Sequence, residues 1–456
     1  MLCGRWSIPL NLFLFRNDHA TAIMKNRREF LQTTGKAALV AAGAGAWPVA
    51  KANEDAKPTL PTPTADSCIF VWLGGGACHI DTWDPKRKGD AKAKQAGSYY
   101  DPIPTAIEGV EICQHLPQMA KLLDRTIVMR SCHHDVIDEH AAAVNRVHVG
   151  RPPTGTTLYP SIGSVTSHQL GARGEGVPAY VLMGYPSASR GPGFLGAKSG
   201  YLYLTETELG PAGLKRPADV TPVRQHRREE MLERLRKAYL ERNPGQRKLE
   251  DYAATSVEGL KLAGPKFMSV FDIKSEDDSV REAYGGEFGQ RCLLARRLVQ
   301  AGVRFVEVSF NLNFINGTGW DTHNQGQLQQ HVLIEQLDQA MAALLEDLER
   351  RNRLDKTLIV VATEFGRPPE FDGGGGRGHY SKAFSMVLAG GGLKTGQVVG
   401  TTDELGKEIL DTPISIADFH ATIYAAMGID PSEELYDGVR PVPITDRGKP
   451  VMACFG

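Results

Sequence analysis

The sequence predicts an α/β protein: a large, mostly parallel sheet with helices on both faces, carrying a helical insertion. Three observations predict it. Short apolar runs rich in Val and Ile read as buried strands. Longer stretches with helical spacing alternate with them. Clusters of carboxylates and imidazoles follow the apolar runs, at the loops where an α/β scaffold builds its site.

The strand-like runs are Cys68–Leu73, Thr126–Arg130, Ala179–Met183, Val303–Phe310, Thr357–Thr363 and Phe384–Ala389. Cys68–Leu73 and Thr357–Thr363 are the expected central strands. The helical stretches are His140–Val149, Val223–Arg242, Ala283–Gln300, Gln325–Arg351 and Ile414–Met427. The last follows Thr412-Pro413 and stops at Gly428, a plausible start and stop. Residues 205–285 differ: they are rich in Arg, Glu and Lys, as in RQHRREEMLERLRKAYLERN, and poor in strand signal. They read as a helical insertion or cap whose charged face is either solvated or partner-binding. Gly- and Pro-rich loops at 184–200 and 367–378 are long enough to be functional.

The N-terminus carries its own information. Asn26-Arg27-Arg28-Glu29-Phe30-Leu31-Gln32 has a twin-arginine pattern, followed by an Ala/Gly-rich stretch from Ala37 to Ala46. Ala50-Lys51-Ala52 is a small-x-small cleavage candidate. That order is the order of a bacterial export signal, with the true start expected at Met24. The apolar stretch is too short to span a bilayer, which takes about 20 apolar residues. The expected organisation is a signal region over 1–52, a Pro/Thr-rich linker over 53–66 and one α/β domain over 67–456. The expected location is periplasmic or extracellular.

Net charge is −1, so nothing in the charge balance draws the chain to nucleic acid or anionic lipid. An apolar fraction of 41% is ample for a large core. The seven cysteines show no CxxC spacing. An exported chain could pair some of them, but Cys68 and Cys292 sit in apolar runs and read as buried thiols.

Four clusters carry the chemistry. Gly74-Gly75-Gly76 leads into His79-Ile80-Asp81, where Asp81 is either a metal ligand or the cap of a turn. The loop is neither a dinucleotide fingerprint nor a Walker A loop. Asp138-Glu139-His140 precedes the helix His140–Val149, whose N-terminus is a natural place for an oxyanion or a nucleophile. Asp321-Thr322-His323 offers a carboxylate and an imidazole to one metal, or an Asp that orients the His, or an Asp that caps the next helix. Glu364 ends the most apolar strand and is costly there unless paired or metal-bound. Arg367, Arg377 and His379 follow it. The arginines could donate in pairs to a sulfate, phosphate or carboxylate, or simply pair with Glu364.

The segments LGGGACHIDTWDPK, TEFGRPP, GRGHYSKAFSMVLAGGGLKTGQVVGTTDELG and ISIADFHATIYAAMGID resemble the secreted DUF1501 proteins, from about Ser67 to Gly438. That family looks like a branch of the alkaline-phosphatase/sulfatase superfamily. The resemblance implies an alkaline-phosphatase-like sheet, a divalent metal (Zn, Ca, Mg or Mn), and hydrolysis of phosphate or sulfate esters. By resemblance, Glu364 replaces a metal-binding Asp, and Phe365 stands where a His ligand is common. Asp321 and His323 resemble the Asp/His metal pair, His379 the late His ligand, and Asp81 the first-strand metal Asp. Sulfatases place a Cys or Ser ten residues before the Gly of a Thr-Gly-Arg turn. Here Val149-Gly150-Arg151 resembles that turn, and the residue ten before Gly150 is His140. His140 is then a ligand or a His nucleophile, or the ester chemistry has been lost.

The expected function is a metal-dependent hydrolase of sulfate or phosphate esters. Its implied partner is a sulfated or phosphorylated small molecule or polysaccharide, with Arg367 or Arg377 stabilising the anionic transition state. The alternative is a non-catalytic binding or scaffold protein that kept the fold. The first expected outcome concerns export. N-terminal sequencing of the exported protein should read from Asn53, and replacing Arg27 and Arg28 by Lys should trap an unprocessed chain in the cytoplasm. Export that ignores this double substitution counts against the twin-arginine route.

Overall fold

The computed structural model describes residues 60–456, apart from 208–209, 212–213, 215–218, 263, 311–318 and 325, and without the side chains of 247, 258, 261 and 328. The export signal, Met24 and the first half of the expected linker lie outside the described residues.

Nine strands form one sheet. In chain order they are β1 (Ser67–Trp72), β2 (Thr126–His133), β3 (Tyr180–Met183), β4 (Leu202–Leu204), β5 (Phe305–Ser309), β6 (Thr357–Ala362), β7 (Phe384–Gly390), β8 (Gln397–Val399) and β9 (Ile414–Ser415). Their spatial order is β8-β2-β7-β6-β1-β5-β3-β4, with β9 also on β2. Every pairing is parallel except those of β7, which runs antiparallel to both β2 and β6. The expected mostly parallel sheet is therefore present, and β1 and β6 are neighbours at its centre.

The reversal of β7 has a local cause. A parallel return to the sheet needs a crossover, usually a helix. Between β6 and β7 the chain forms loops and turns only.

The main helices are α1 (His140–Val149), α2 (Ile162–Leu170), α3 (Pro222–Arg242), α4 (Arg247–Leu262), α5 (Glu287–Ala301), α6 (Gln330–Arg350) and α7 (Ile416–Ala426). Side chains of β1 alternate between the two faces. Ile69 and Val71 pack with residues of α5 and α6, including Leu294, Leu298, Ile334 and Leu337. Cys68, Phe70 and Trp72 pack with Val147 of α1, Ile162 of α2 and Phe419 of α7. Each large aliphatic side chain buried this way contributes roughly 1.5–3 kcal/mol. The sheet is thus covered on both faces.

Boundaries differ from expectation where glycine intervenes. The helix expected over Ala283–Gln300 is two helices, Asp278–Tyr284 and α5, because Gly285 sits at φ +81° and breaks the first. In 205–285, α3 and α4 form a long helical pair, and α3 has no buried residue. The end of the expected linker is anchored: Ala65 N–H donates to Ala426 O and Asp66 N–H to Lys356 O. All six described cysteines are buried and free. Among the described residues, no helix is long and apolar enough to cross a membrane.

One ionic cluster is buried inside the sheet. Glu307 of β5 meets Arg190 Nε at 2.5 Å and His148 Nε2 at 3.2 Å, and accepts from the Tyr180 hydroxyl at 3.1 Å. Burial alone would raise its carboxyl, but Arg190 and His148 outweigh that and hold it at about 2. A group held below its ordinary 4.5 stabilises the fold fully above that value, and the contribution fades as pH falls toward about 2. A shift of that size is worth roughly 3 kcal/mol. Glu307→Gln should therefore lose less stability than the wild type on acidification through this window. Denaturant midpoints measured from pH 6 downward test it, and parallel acid limbs would refute it.

Candidate metal centre

Three of the four polar clusters meet because of the sheet's polarity. The C-terminal ends of β1, β2, β5 and β6 lie at one edge, since these strands run the same way. β7 runs the other way and therefore begins at that edge. Residues after β2, β5 and β6 and residues before β7 share the space above it. His140 opens α1 after β2, Asp321 and His323 follow β5, Glu364 follows β6, and His379 precedes β7.

Local structure sets each side chain. α1 starts at His140 because Glu139 caps it, accepting from Ala141 N at 2.8 Å and Ala142 N at 2.5 Å. Those two helix donors, expected to face an oxyanion, are thereby used. Gly75 has φ +118°, and a Cβ there would come within 2.4 Å of the Asp321 backbone N. Only glycine lets the first loop pass so close under Asp321. The same Gly75 N–H donates to Glu364 Oε1 at 2.7 Å.

The centre of the arrangement is one oxygen. Asp321 Oδ1 lies 3.5 Å from His140 Nε2, 3.2 Å from His323 Nε2, 3.6 Å from His379 Nε2 and 2.5 Å from Arg367 Nη2. His323 Nε2 and His379 Nε2 are 2.9 Å apart. Behind the rings, His140 Nδ1 meets Glu364 Oε1 at 3.0 Å and His379 Nδ1 meets Asp138 Oδ1 at 2.7 Å. The Phe365 ring packs against the rings of His140 and His379, with centroids 4.9 Å and 4.5 Å away.

The donor set fits a metal ion. Potential ligand atoms of His140, Asp321 and His379 all lie within 4.8 Å of one another. His140 Nε2 is buried and makes no hydrogen bond. Imidazole nitrogens and a carboxylate around one point are what zinc and related dications use.

The electrostatics follow from the geometry. Burial opposes the charge on His140, but Asp321 and Glu364 outweigh it and raise this imidazole to about 9. Burial opposes the charge on Asp321 too, and His140, His379 and Arg367 overcome it and hold the carboxyl far below its usual range. His323 is pushed down, first by burial and then by Arg367 and His379, against the pull of Asp321.

Three expected site residues sit elsewhere or do something else. Asp81 is buried, and both its oxygens are engaged: Oδ2 by Arg377 Nε at 2.9 Å and Gln327 Nε2 at 2.5 Å, Oδ1 by Tyr99 N at 2.6 Å. It pairs with Arg377 instead of joining the cluster, because it lies beyond the strand end in a 3-10 turn. Arg377 spends its remaining donors on Pro368 O, Pro369 O and Gly97 O. Arg367 binds the carbonyls of Gly75, Gly76, Arg377 and Gly378 besides Asp321. Both guanidiniums are fully buried loop fasteners, so neither is free to clamp an anionic transition state, as the sequence led us to expect. Arg151, of the turn resembling Thr-Gly-Arg, donates to Pro443 O and lies over the Tyr159 ring.

Sequence reasoning missed Asp372, and it singled out Asp138 and Phe365 without giving either the role it has beside these imidazoles. Asp138 was visible in a dense polar run. Its partner His379 is distant in sequence, and no local pattern links the two.

The family described as "Protein of unknown function (DUF1501)" matches residues 65–455. No curated protein matches the chain. Among solved structures, the PsFucS1 sulfatase from Pseudoalteromonas sp. is 13% identical, covering 81% of this chain and 68% of its own, with a TM-score of 0.36. The lipoteichoic acid synthase LtaP from Listeria monocytogenes is 9% identical, covering 84% and 75%, with a TM-score of 0.37. The phosphonate monoester hydrolase SpPMH from Silicibacter pomeroyi is 11% identical, covering 84% and 76%, with a TM-score of 0.36. At such scores, function has to be read from the side chains themselves.

The charge on His140 is open to measurement. Its raised value means that the imidazolium stabilises the metal-free fold fully below 6.5, and that this is lost as pH rises through about 9. Asp321→Asn should bring the midpoint down toward 6.5, read from the ring C–H signals in an NMR titration. A midpoint that stays near 9 would mean that Asp321 is not what holds the charge.

Proposed function

We propose that this chain, which belongs to the DUF1501 family, is a metal-dependent hydrolase of sulfate or phosphate esters. The observation that carries the reading is the meeting of His140, His323 and His379 around Asp321 Oδ1 at the strand-end edge of the sheet. The ester class rests on the motif resemblance. His140, Asp321, His323 and His379 would hold the ion. A divalent cation bound there supplies Lewis acidity toward the ester oxygen and lowers the pKa of water toward about 7.

The chain's own groups divide the remaining work. Asp321 supplies the negative charge on which the imidazoles converge. Arg367, tied to the loop carbonyls, fixes that carboxylate in place. His140 stands where a hydroxyl or thiol nucleophile stands in the sulfatase pattern. Its two ring nitrogens face Glu364 and Asp321, so it holds rather than attacks. Water is then the attacking group. Phe365, buried under two of the imidazoles, keeps bulk water from their lower faces and strengthens the charge interactions above.

A non-catalytic binding protein is the second reading. It is favoured by the full engagement of Arg367 and Arg377, which leaves neither of these two guanidiniums for an anion. Export-fraction protein should be analysed for metal and assayed on a panel of aryl sulfate, phosphate and phosphonate esters. The hydrolase reading expects turnover that a chelator abolishes, that added metal restores, and that Asp321→Ala reduces to background. Fully metal-loaded protein that turns over none of the panel leaves the binding reading in its place.

A further inference from the structure

Each ring at this centre has two nitrogens, and the structure separates their surroundings. Nε2 of His140, His323 and His379 faces Asp321 Oδ1 at 3.5, 3.2 and 3.6 Å. Nδ1 of His140 faces Glu364 at 3.0 Å, and Nδ1 of His379 faces Asp138 at 2.7 Å. A carboxylate accepts only, so once a cation takes the place of the protons that the Nε2 atoms share with Asp321, the remaining ring proton of His140 and of His379 is held on Nδ1, toward Glu364 and Asp138, and Nε2 is the ligating atom.

Two further observations agree. His323 Nε2 and His379 Nε2 stand 2.9 Å apart, a separation at which two lone pairs repel unless a proton or a cation lies between them. His323 has a looser support: Asp372 Oδ2 is 3.8 Å from its Nδ1, too long for a hydrogen bond. Asp372 acts on the backbone instead. It accepts from Asn324 N at 2.9 Å, Gly374 N at 3.1 Å and Gly376 N at 3.0 Å, tying the loop of His323 to the loop that leads to His379.

We infer that Asp138 and Glu364 are positioning residues which hold His379 and His140 from behind, and that the ion sits among three imidazole Nε2 atoms and the Asp321 carboxylate. This rests on reading the cluster as a metal site, and it names the class of metal. Calcium needs about six to eight oxygen donors, and magnesium about six oxygens. Here the inward donors are nitrogen from three rings and one carboxylate, while Glu364 Oε1 is already committed to Gly75 N and His140. The set suits a zinc-class transition-metal dication and discriminates against calcium and magnesium. Glu364, expected from the sequence as a ligand, becomes the support of one.

The test uses the full exported chain, stripped and reloaded with Co2+ or Cu2+ alone. Wild type should bind Co2+ against a large excess of Ca2+ and Mg2+, and its Cu2+ EPR spectrum should show coupling to three imidazole nitrogens. Asp138 is 82% exposed, so its replacement does not threaten the fold. Asp138→Ala should weaken Co2+ binding about 10–100-fold with the nitrogen count unchanged. Asp138→Asn, which keeps an acceptor oxygen, should recover part of that loss, and the melting temperature of the metal-free variants should not move. Calcium displacing Co2+ at comparable concentration, fewer than three coupled nitrogens, or unchanged affinity in Asp138→Ala each overturns the inference. None of these readouts involves turnover, so a failure of the hydrolase reading would register separately in the ester panel.

Discussion

The pairing of Asp321 with Arg367 is the interaction on which the functional edge depends. Arg367 is wholly buried and reaches the carbonyls of both glycine-rich loops while holding the carboxylate of Asp321 at 2.5 Å. The two glycine-rich loops and the segment after β5 are thereby fastened to one cation. A buried guanidinium without such partners would be strongly destabilising. The same fastening places Asp321 Oδ1 where three imidazoles can face it. Arg377 does the equivalent for the loop around Asp81. The two arginines that suggest anion binding are, in the folded protein, what makes the edge rigid.

Rigidity there has a functional meaning. Under the proposed metal reading, selectivity depends on how firmly the donors are fixed, and the imidazoles here are held from behind by carboxylates, glycine contacts and an aromatic ring. Gly75 allows the first loop to lie against Asp321, and its N–H holds Glu364, which in turn holds His140. That chain of contacts couples β1, α1 and the end of β6, so no donor is set by its own loop alone.

The chain belongs to the DUF1501 family, and at three positions it departs from the sulfatase pattern that its motifs resemble. The expected nucleophile position holds an imidazole, the expected second His of the strand-end motif is Phe365, and the expected first-strand Asp is consumed by an ion pair. The first change adds an imidazole, the second replaces one with an apolar ring, and the third withdraws a carboxylate. The result is a compact nitrogen-rich cluster, with Phe365 as its apolar floor.

The class of fold was legible in the sequence because burial on both faces writes itself locally. Runs such as Cys68–Leu73 and Leu358–Ala362 are apolar throughout, as expected of strands covered by helices on both sides. His140–Val149 was legible as a helix that runs into Gly150, whereas its cap, Glu139, became visible only in the structure. The chemistry-bearing residues His140, Asp321, His323, Glu364 and His379 were visible as dense polar clusters at the ends of apolar runs. What each one does was decided only by the tertiary structure. The reversal of β7 brings His379 to the edge where the parallel strands end. Long-range pairs then assign the roles: Arg377 takes Asp81, Arg367 takes Asp321, Asp138 takes His379, and Glu364 takes His140. A carboxylate reads the same in sequence whether it faces a metal, an arginine or the back of a histidine. Only the direction of its neighbours in space distinguishes these, and that direction is set by strand order, not by spacing along the chain.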